Sequence, residues 1–201
     1  MMDRMSKKVI VIRKGAGSSY CHKQAMKTVV VYKSKTGFTK RYAEWIAEEL
    51  KADLVDEKLF QRSAIASYDR IIYGGSFEAG KVQGLRKIKA MFDGNTISKL
   101  VVFATGATPA TAQDVIESEW KGNFTAEELG RIPHFYMQAG LNYEKMGAGD
   151  RMLMKAFAKM LGSKKNKTAE EEGTVKAIQN SYDISSREYI KPLIECCGGK
   201  A

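Results

Sequence analysis

Three consecutive valines, Val29 to Val31, run into a polar turn, and the turn opens directly into an amphipathic helix: TVVVYKSKTGFTKRYAEWIA. A short, continuous apolar run bounded by turn residues is the mark of a strand buried on both faces. Beyond the turn, Tyr42, Ala43, Ile46, Ala47 and Leu50 recur at helical spacing. A buried strand feeding a helix through so short a connection is the first half of a βαβ unit. It confines the chain to α/β architectures. The turn itself, Ser34-Lys35-Thr36-Gly37-Phe38-Thr39, holds three hydroxyls and a glycine.

The alternation continues down the chain. Apolar runs predict strands over 27–32, 52–56, 70–73, 99–104 and 134–139, the third ending at Gly74-Gly75. Helical spacing predicts helices over 39–50, 84–92, 110–121, 150–161 and 185–195. Asp93-Gly94-Asn95 stops the second, and Ser185 is placed to cap the last. Five strands joined by helical crossovers imply a five-stranded parallel sheet with helices on both faces, a three-layer α/β sandwich. Residues 162–173 are the most linker-like internal stretch. Residues 1–25 carry Gly15, Gly17, Ser18 and Ser19 without helical periodicity. They are expected to be a disordered extension, or translation starts at Met26; an edge strand over 8–13 is the rival reading. The domain is then 26–201.

At 201 residues the chain suits one domain. No apolar run approaches the roughly 20 residues that span a bilayer. The apolar patch near the N-terminus is too short for a signal-peptide core, so a cytoplasmic location is expected. Cys21, Cys196 and Cys197 make a poor disulfide framework and match no metal-ligand spacing. The net charge is +10, of which residues 1–25 hold +5. Neither an aromatic-interleaved RNA motif nor a recognition-helix pattern accompanies it, so nucleic acid is not an expected partner.

In an open parallel sheet, ligands bind beyond the carboxyl ends of the strands. A helix N-terminus there offers free N–H groups and a positive dipole end. Ser34, Thr36 and Thr39 add hydroxyl donors, and Gly37 lets the backbone bend around a ligand. The turn has the chemistry of a phosphate cradle built from neutral donors; an ordinary capped strand–helix turn is the bland alternative. This S-x-T-G-x-T pattern resembles the phosphate loop of the flavodoxin family. The resemblance implies strand order 2-1-3-4-5 and FMN as cofactor, with Ser34, Lys35, Thr36, Gly37, Phe38 and Thr39 around the phosphate. It places the flavin ring between the loops after the third and fourth strands, against Gly74, Gly75, Ser76 and Phe77 on one side and Thr105, Gly106 and Ala107 on the other. Reduced flavin carries a proton at N5, and a flipped glycine carbonyl at Gly74-Gly75 would accept it. N5 would be the reactive centre, so no catalytic side chain is implied.

The segments YDRIIYGGSFEAGKVQG and FYMQAGLNYEKMGAGDRMLMKAFAKML resemble the flavodoxin-domain subfamily that includes menaquinone-dependent protoporphyrinogen oxidases. That implies an FMN-dependent oxidoreductase passing electrons to a quinone or another redox partner. A soluble electron carrier and a non-redox binding module on the same fold are the alternatives. Two departures tell against a carrier: ATGATPATAQD lacks the aromatic that usually stacks on the flavin, and the chain is basic where carriers are acidic. Gly75 to Lys81 has P-loop spacing, but Val82 stands where Mg²⁺ binding needs Ser or Thr. In 150–161, Leu153, Met154, Phe157, Met160 and Leu161 form a stripe expected to pack on the sheet. Arg151, Lys155 and Lys159 form a basic face, and contact of that face with an anionic membrane surface is the sharper reading. His134, Trp45 and Trp120 read as packing residues; Tyr143 could approach the flavin edge.

Overall fold

A computed structural model describes residues 26–163, 178 and 180–199. The residues 1–25, with the edge strand weighed for 8–13, and most of the linker-like stretch lie outside the described residues.

The three valines sit in β1 (Thr28–Tyr32), and alternation sends them to opposite faces. Val29 and Val31 enter one apolar core, and Val30 enters the other. The sheet continues with β2 (Asp53–Asp56), β3 (Arg70–Glu78), β5 (Leu100–Gly106) and β6 (His134–Gln138). All five are parallel, in the spatial order β2-β1-β3-β5-β6. A short antiparallel strand, β4 (Lys81–Val82), pairs with the end of β3. It moves the labels by one but leaves the expected 2-1-3-4-5 arrangement of parallel strands intact.

Helices cover both faces. On one side lie α1 (Phe38–Leu50) and, later, α6 (Lys191–Cys196) preceded by a 3-10 turn (Arg187–Ile190). Tyr42, Ala43 and Ile46 of α1 meet Ile190, Leu193 and Ile194 over Val30, Ile72 and Phe103. On the other side, α2 (Leu85–Lys89), α3 (Gln113–Lys121) and α4 (Ala126–Arg131) enclose Ile71, Tyr73 and Val102 with Leu85, Ile88 and Trp120. The 84–92 and 110–121 expectations were too long, and α4 was not foreseen. Thr125 caps α4 through a complete capping box with Glu128. A hairpin of β7 (Gly140–Leu141) and β8 (Tyr182–Asp183) follows β6.

The largest correction concerns α5 (Ala148–Gly162). Its apolar stripe was expected on the sheet, yet α5 contributes no buried residue. The 3-10 turn and α6 take that place. None of the described helices is long and apolar enough to cross a membrane.

Gly74-Gly75 does not end β3. Both glycines are buried within it, and the strand runs on to Glu78. A Cβ at Gly74 would lie 2.0 Å from Phe103 Cζ, and one at Gly75 2.5 Å from the Gln83 carbonyl. The turn comes at Ala79-Gly80, with φ of 49° and 73°, joining the Glu78–Lys81 pair. Positive φ at both central residues is what a two-residue hairpin of matching twist requires. The stretch with P-loop spacing is therefore a β-hairpin.

Ala79→Gly is expected to stabilise the protein by about 0.5–1 kcal/mol, because relief of the left-handed strain exceeds the entropy cost of glycine. Gly74→Ala is expected to cost about 2–3 kcal/mol, because Phe103 must leave its place. Urea unfolding of the two variants checks both signs.

Candidate functional site

The phosphate-loop candidates lie where β1 ends and α1 begins, at the carboxyl edge of the sheet between β1 and β3. This is the switch point at which the chain leaves in opposite directions. Lys33 N–H still donates to Gly74 O at 2.9 Å, so the loop starts one residue later. Ser34 Oγ accepts from Gly37 N–H at 3.1 Å and folds the loop into a compact turn. Gly37 has φ of 100°, a left-handed conformation that disfavours any side chain. It occupies the N-cap of α1, where no side chain caps the helix and no acid lies in the first turn. The first N–H groups of a 13-residue helix are left for an acceptor from outside it.

The hydroxyls divide. Ser34 and Thr36 are half-exposed at the mouth. Thr39 is buried, and its Oγ1 lies 2.8 Å from Thr105 Oγ1, which is buried too. That bond ties the first turn of α1 to the end of β5. Phe38 is buried in the core under α1. Lys35 points across the site: its Nζ lies 2.5 Å from Glu78 Oε2 and 3.5 Å from Asp150 Oδ2. The hydrogen bond that Lys35 donates to Glu78 raises the Lys35 pKa, with smaller help from Asp150. Ser76 Oγ donates to the other Glu78 oxygen at 2.9 Å. Glu78, absent from the sequence-based candidates, thus links the loop after β1 to the end of β3.

A cation does reach the loop. Lys145 comes from the connection after β7, and its Nζ lies 3.8 Å from where a Gly37 Cβ would sit. Thr36, Gly37, Lys40, Arg41 and Lys145 line one groove of about 530 Å³ that runs to the β7–β8 hairpin. Arg41 is paired with Asp183. The sequence-based candidates for the phosphate, all from the loop itself, do not include Lys145. Nothing local in GLNYEKM announces Lys145; the fold brings it.

The ring-side candidates also separate. Gly74 and Gly75 are held in the ladder, and the Gly74 carbonyl already accepts from Lys33. A freely flipping peptide there, as the sequence implied, does not fit this geometry. Phe77 turns inward, 5.0 Å from Trp120 in an edge-to-face contact and 6.0 Å from Tyr136. Ser76 faces Thr105 across the β3–β5 ladder. The Gly106–Ala110 loop is anchored from beneath: Tyr136 Oη donates to Thr108 O at 2.7 Å, and Ala110 N–H donates to Gln138 Oε1 at 2.9 Å. A Cβ at Gly106 would come within 2.9 Å of Tyr136 Oη. Burial pushes the Tyr136 phenol above its usual range and keeps it a neutral donor.

Three other residues are accounted for by packing. His134 Nδ1 lies 2.9 Å from Ile132 O, with its ring among Trp120 and Phe124. Tyr143 donates to Ile178 O. Cys197 is buried, which pushes its thiol up to about 11.

A family model described as "Flavodoxin domain" matches residues 29–168. The chain belongs to the flavodoxin-domain family. No curated protein matches the sequence. Among solved structures, a WrbA-like flavodoxin from Agrobacterium tumefaciens is similar at 24% identity, covering 63% of this chain and 88% of that one (TM-score 0.37). A flavodoxin from the domain Archaea is 14% identical over 77% of this chain and 100% of its own (TM-score 0.34). Oxidised Flavodoxin 1 from Bacillus cereus is 16% identical over 69% and 99% (TM-score 0.36).

FMN is the cofactor that the flavodoxin-like site must fit. The uncapped α1 terminus, the Ser34 and Thr36 hydroxyls, the bare Gly37 and the Lys145 amine together suit a phosphate monoester. The carboxylates around the loop are engaged: Glu78 and Asp150 by Lys35, and Glu44 and Asp183, which line the groove, by Lys40 and Arg41.

One buried carboxylate oxygen on α3 lacks a hydrogen bond among the described residues. Glu119, on α3 beside Trp120, has Oε2 buried with no hydrogen bond, and burial raises its pKa. A raised folded-state pKa favours the protonated form. Stability therefore falls as pH rises through the ordinary value of 4.5 and then the raised one. In flavin-free protein, Glu119→Gln is expected to be the more stable form at neutral pH, by an amount that solvent screening of the half-exposed side chain keeps small. The difference should vanish below pH 4.5; urea midpoints across pH measure it.

Proposed function

We propose that this chain is an FMN-dependent redox protein, and that its particular activity is protoporphyrinogen oxidase-like, with electrons passed to a quinone. The observation that carries the flavin reading is the S-x-T-G-x-T loop, which meets an uncapped helix N-terminus and the Lys145 amine at the switch point. Bound FMN supplies reversible electron and hydride chemistry. The chain supplies the rest. Ser34, Thr36, Gly37 and the first N–H groups of α1 hold the phosphate, and Lys145 balances its charge. Lys35 and Glu78, with Ser76, set the wall between phosphate and ring. Thr105, Gly106 and Ala107 lie along the opposite wall, on a loop fixed by Tyr136 and Gln138.

The finer assignment is supported by the quoted resemblances, by the missing aromatic after β5 and by the basic charge of +10. An electron carrier docks on a protein partner through complementary charge. A quinone is a small apolar acceptor taken from a bilayer, and contact with an anionic membrane through Lys155 and Lys159 belongs to that reading; Arg151, expected on the same basic face, instead lies on the half-buried side of α5 and donates to Met146 O.

Purified protein mixed with FMN and freed of excess is expected to keep flavin absorption bands. Thr36→Ala and Lys145→Ala are each expected to weaken FMN binding about fivefold or more, the value of one hydrogen bond or one nearby charge. The Lys145 effect should shrink at high salt. Quenching of flavin fluorescence measures the affinity, and a colourless protein with unchanged variants would overturn the reading. Reduction of the bound flavin by protoporphyrinogen, followed by reoxidation with a soluble quinone, tests the finer assignment.

A further inference from the structure

The geometry points to the outward apolar face of α5 as a docking surface for an anionic lipid bilayer, with Met152, Leu153, Phe157 and Met160 entering the interface. Sequence periodicity places Leu153, Met154, Phe157, Met160 and Leu161 on the sheet and leaves only the basic stripe for contact. The structure turns the helix over. The half-buried side is Arg151, Met154, Ala158 and Leu161. Facing away from the domain are Met152 at 73% exposure, Leu153 at 62%, Met160 at 63% and Phe157 at 41%, with Ala156 between them. Four large apolar side chains on one exposed helix face form a patch that is uncommon on a soluble surface.

Charge selects the occupant. Lys155 and Lys159 are exposed and flank the apolar face along one side. No ion pair engages them among the described residues. The sequence then runs on through Lys164, Lys165 and Lys167, so that 145–167 holds seven bases against one acid. A second copy of this chain would bring the same positive charge to the contact, which disfavours self-association through α5. An anionic lipid surface is complementary to both halves of the helix. The apolar face enters the boundary of the acyl chains, and the lysines reach sideways to the headgroups. Because α5 contributes no buried residue, it can engage a surface without opening either core. This deepens the quinone reading by naming where the protein would meet the phase that holds the acceptor. It needs neither flavin nor turnover to be measured.

The test is co-sedimentation of the full chain with vesicles of equal parts phosphatidylglycerol and phosphatidylcholine, and with vesicles of phosphatidylcholine alone. Binding is expected only to the first, and weakened by salt. Lys155→Ala and Lys159→Ala should each lower the partition coefficient about fivefold. Leu153→Ser/Phe157→Ser should lower it about tenfold or more while keeping the urea midpoint and any flavin bands. Three results would overturn the proposal. One is no sedimentation with anionic vesicles. Another is sedimentation that the Leu153/Phe157 variant does not change, which would make it a general effect of basic charge. The third is a concentration-dependent dimer, without vesicles, that this variant abolishes. The flavin spectrum, read on the same samples, separates failure of the lipid contact from failure of the FMN reading.

Discussion

The site depends on one packing contact, the ring of Phe103 lying where a side chain at Gly74 would otherwise stand. The two residues are direct partners in the β3–β5 ladder. Phe103 fills the core beneath α1 together with Val30 and Ile72. Glycine at 74 leaves room for the tip of that ring, and the ladder then continues through Gly75–Ala104 to Ser76–Thr105. Only with this extension do Ser76 and Thr105 come side by side at the carboxyl edge. The Thr39–Thr105 bond then ties the same point to the start of α1. The loop before α1 and the carboxyl ends of β3 and β5 are registered to one another through these two contacts.

The main architecture was legible because its signals are local. TVVVY followed by a polar turn and an amphipathic run can hardly be read otherwise, and the parallel order followed from the family resemblance. What was misread is what depends on a distant residue. Gly74-Gly75 looks like a turn from its neighbours. Its real role is to receive a ring from β5 and the Gln83 carbonyl from the returning hairpin. Ala79 carries the turn instead, in a conformation that local preference disfavours. Phe77 was placed beside the flavin ring with Gly74, Gly75 and Ser76; its own ring meets Trp120 and Tyr136.

The same distinction divides the loop after β1. Its hydroxyls and glycine suggest a phosphate cradle, and Gly37 takes a left-handed conformation. Its charge was not readable, because Lys145 is brought in by the chain beyond β7 and Glu78 by the extension of β3. Their roles differ electrostatically. Glu78 holds Lys35 across the site with Ser76, so that cation is spent on fixing the wall. Lys145 remains over the bare face of Gly37, where a phosphate's negative charge would concentrate.

Amphipathic spacing marks a helix as having an apolar side but does not say what that side meets. Two helical segments competed for the sheet face beside α1. The C-terminal one won: Ile190, Leu193 and Ile194 are buried there, and Arg187 pairs with Glu48 and Glu49 of α1 at the rim. Closing the core with these residues leaves α5 outside it with its apolar stripe exposed. Substitutions on the outer face of α5 should therefore act on what the helix meets rather than on folding. The converse holds for Leu193, which is fully buried and whose truncation would be felt throughout the domain. Stability and surface contact are thus placed on different helices, and each can be altered without the other.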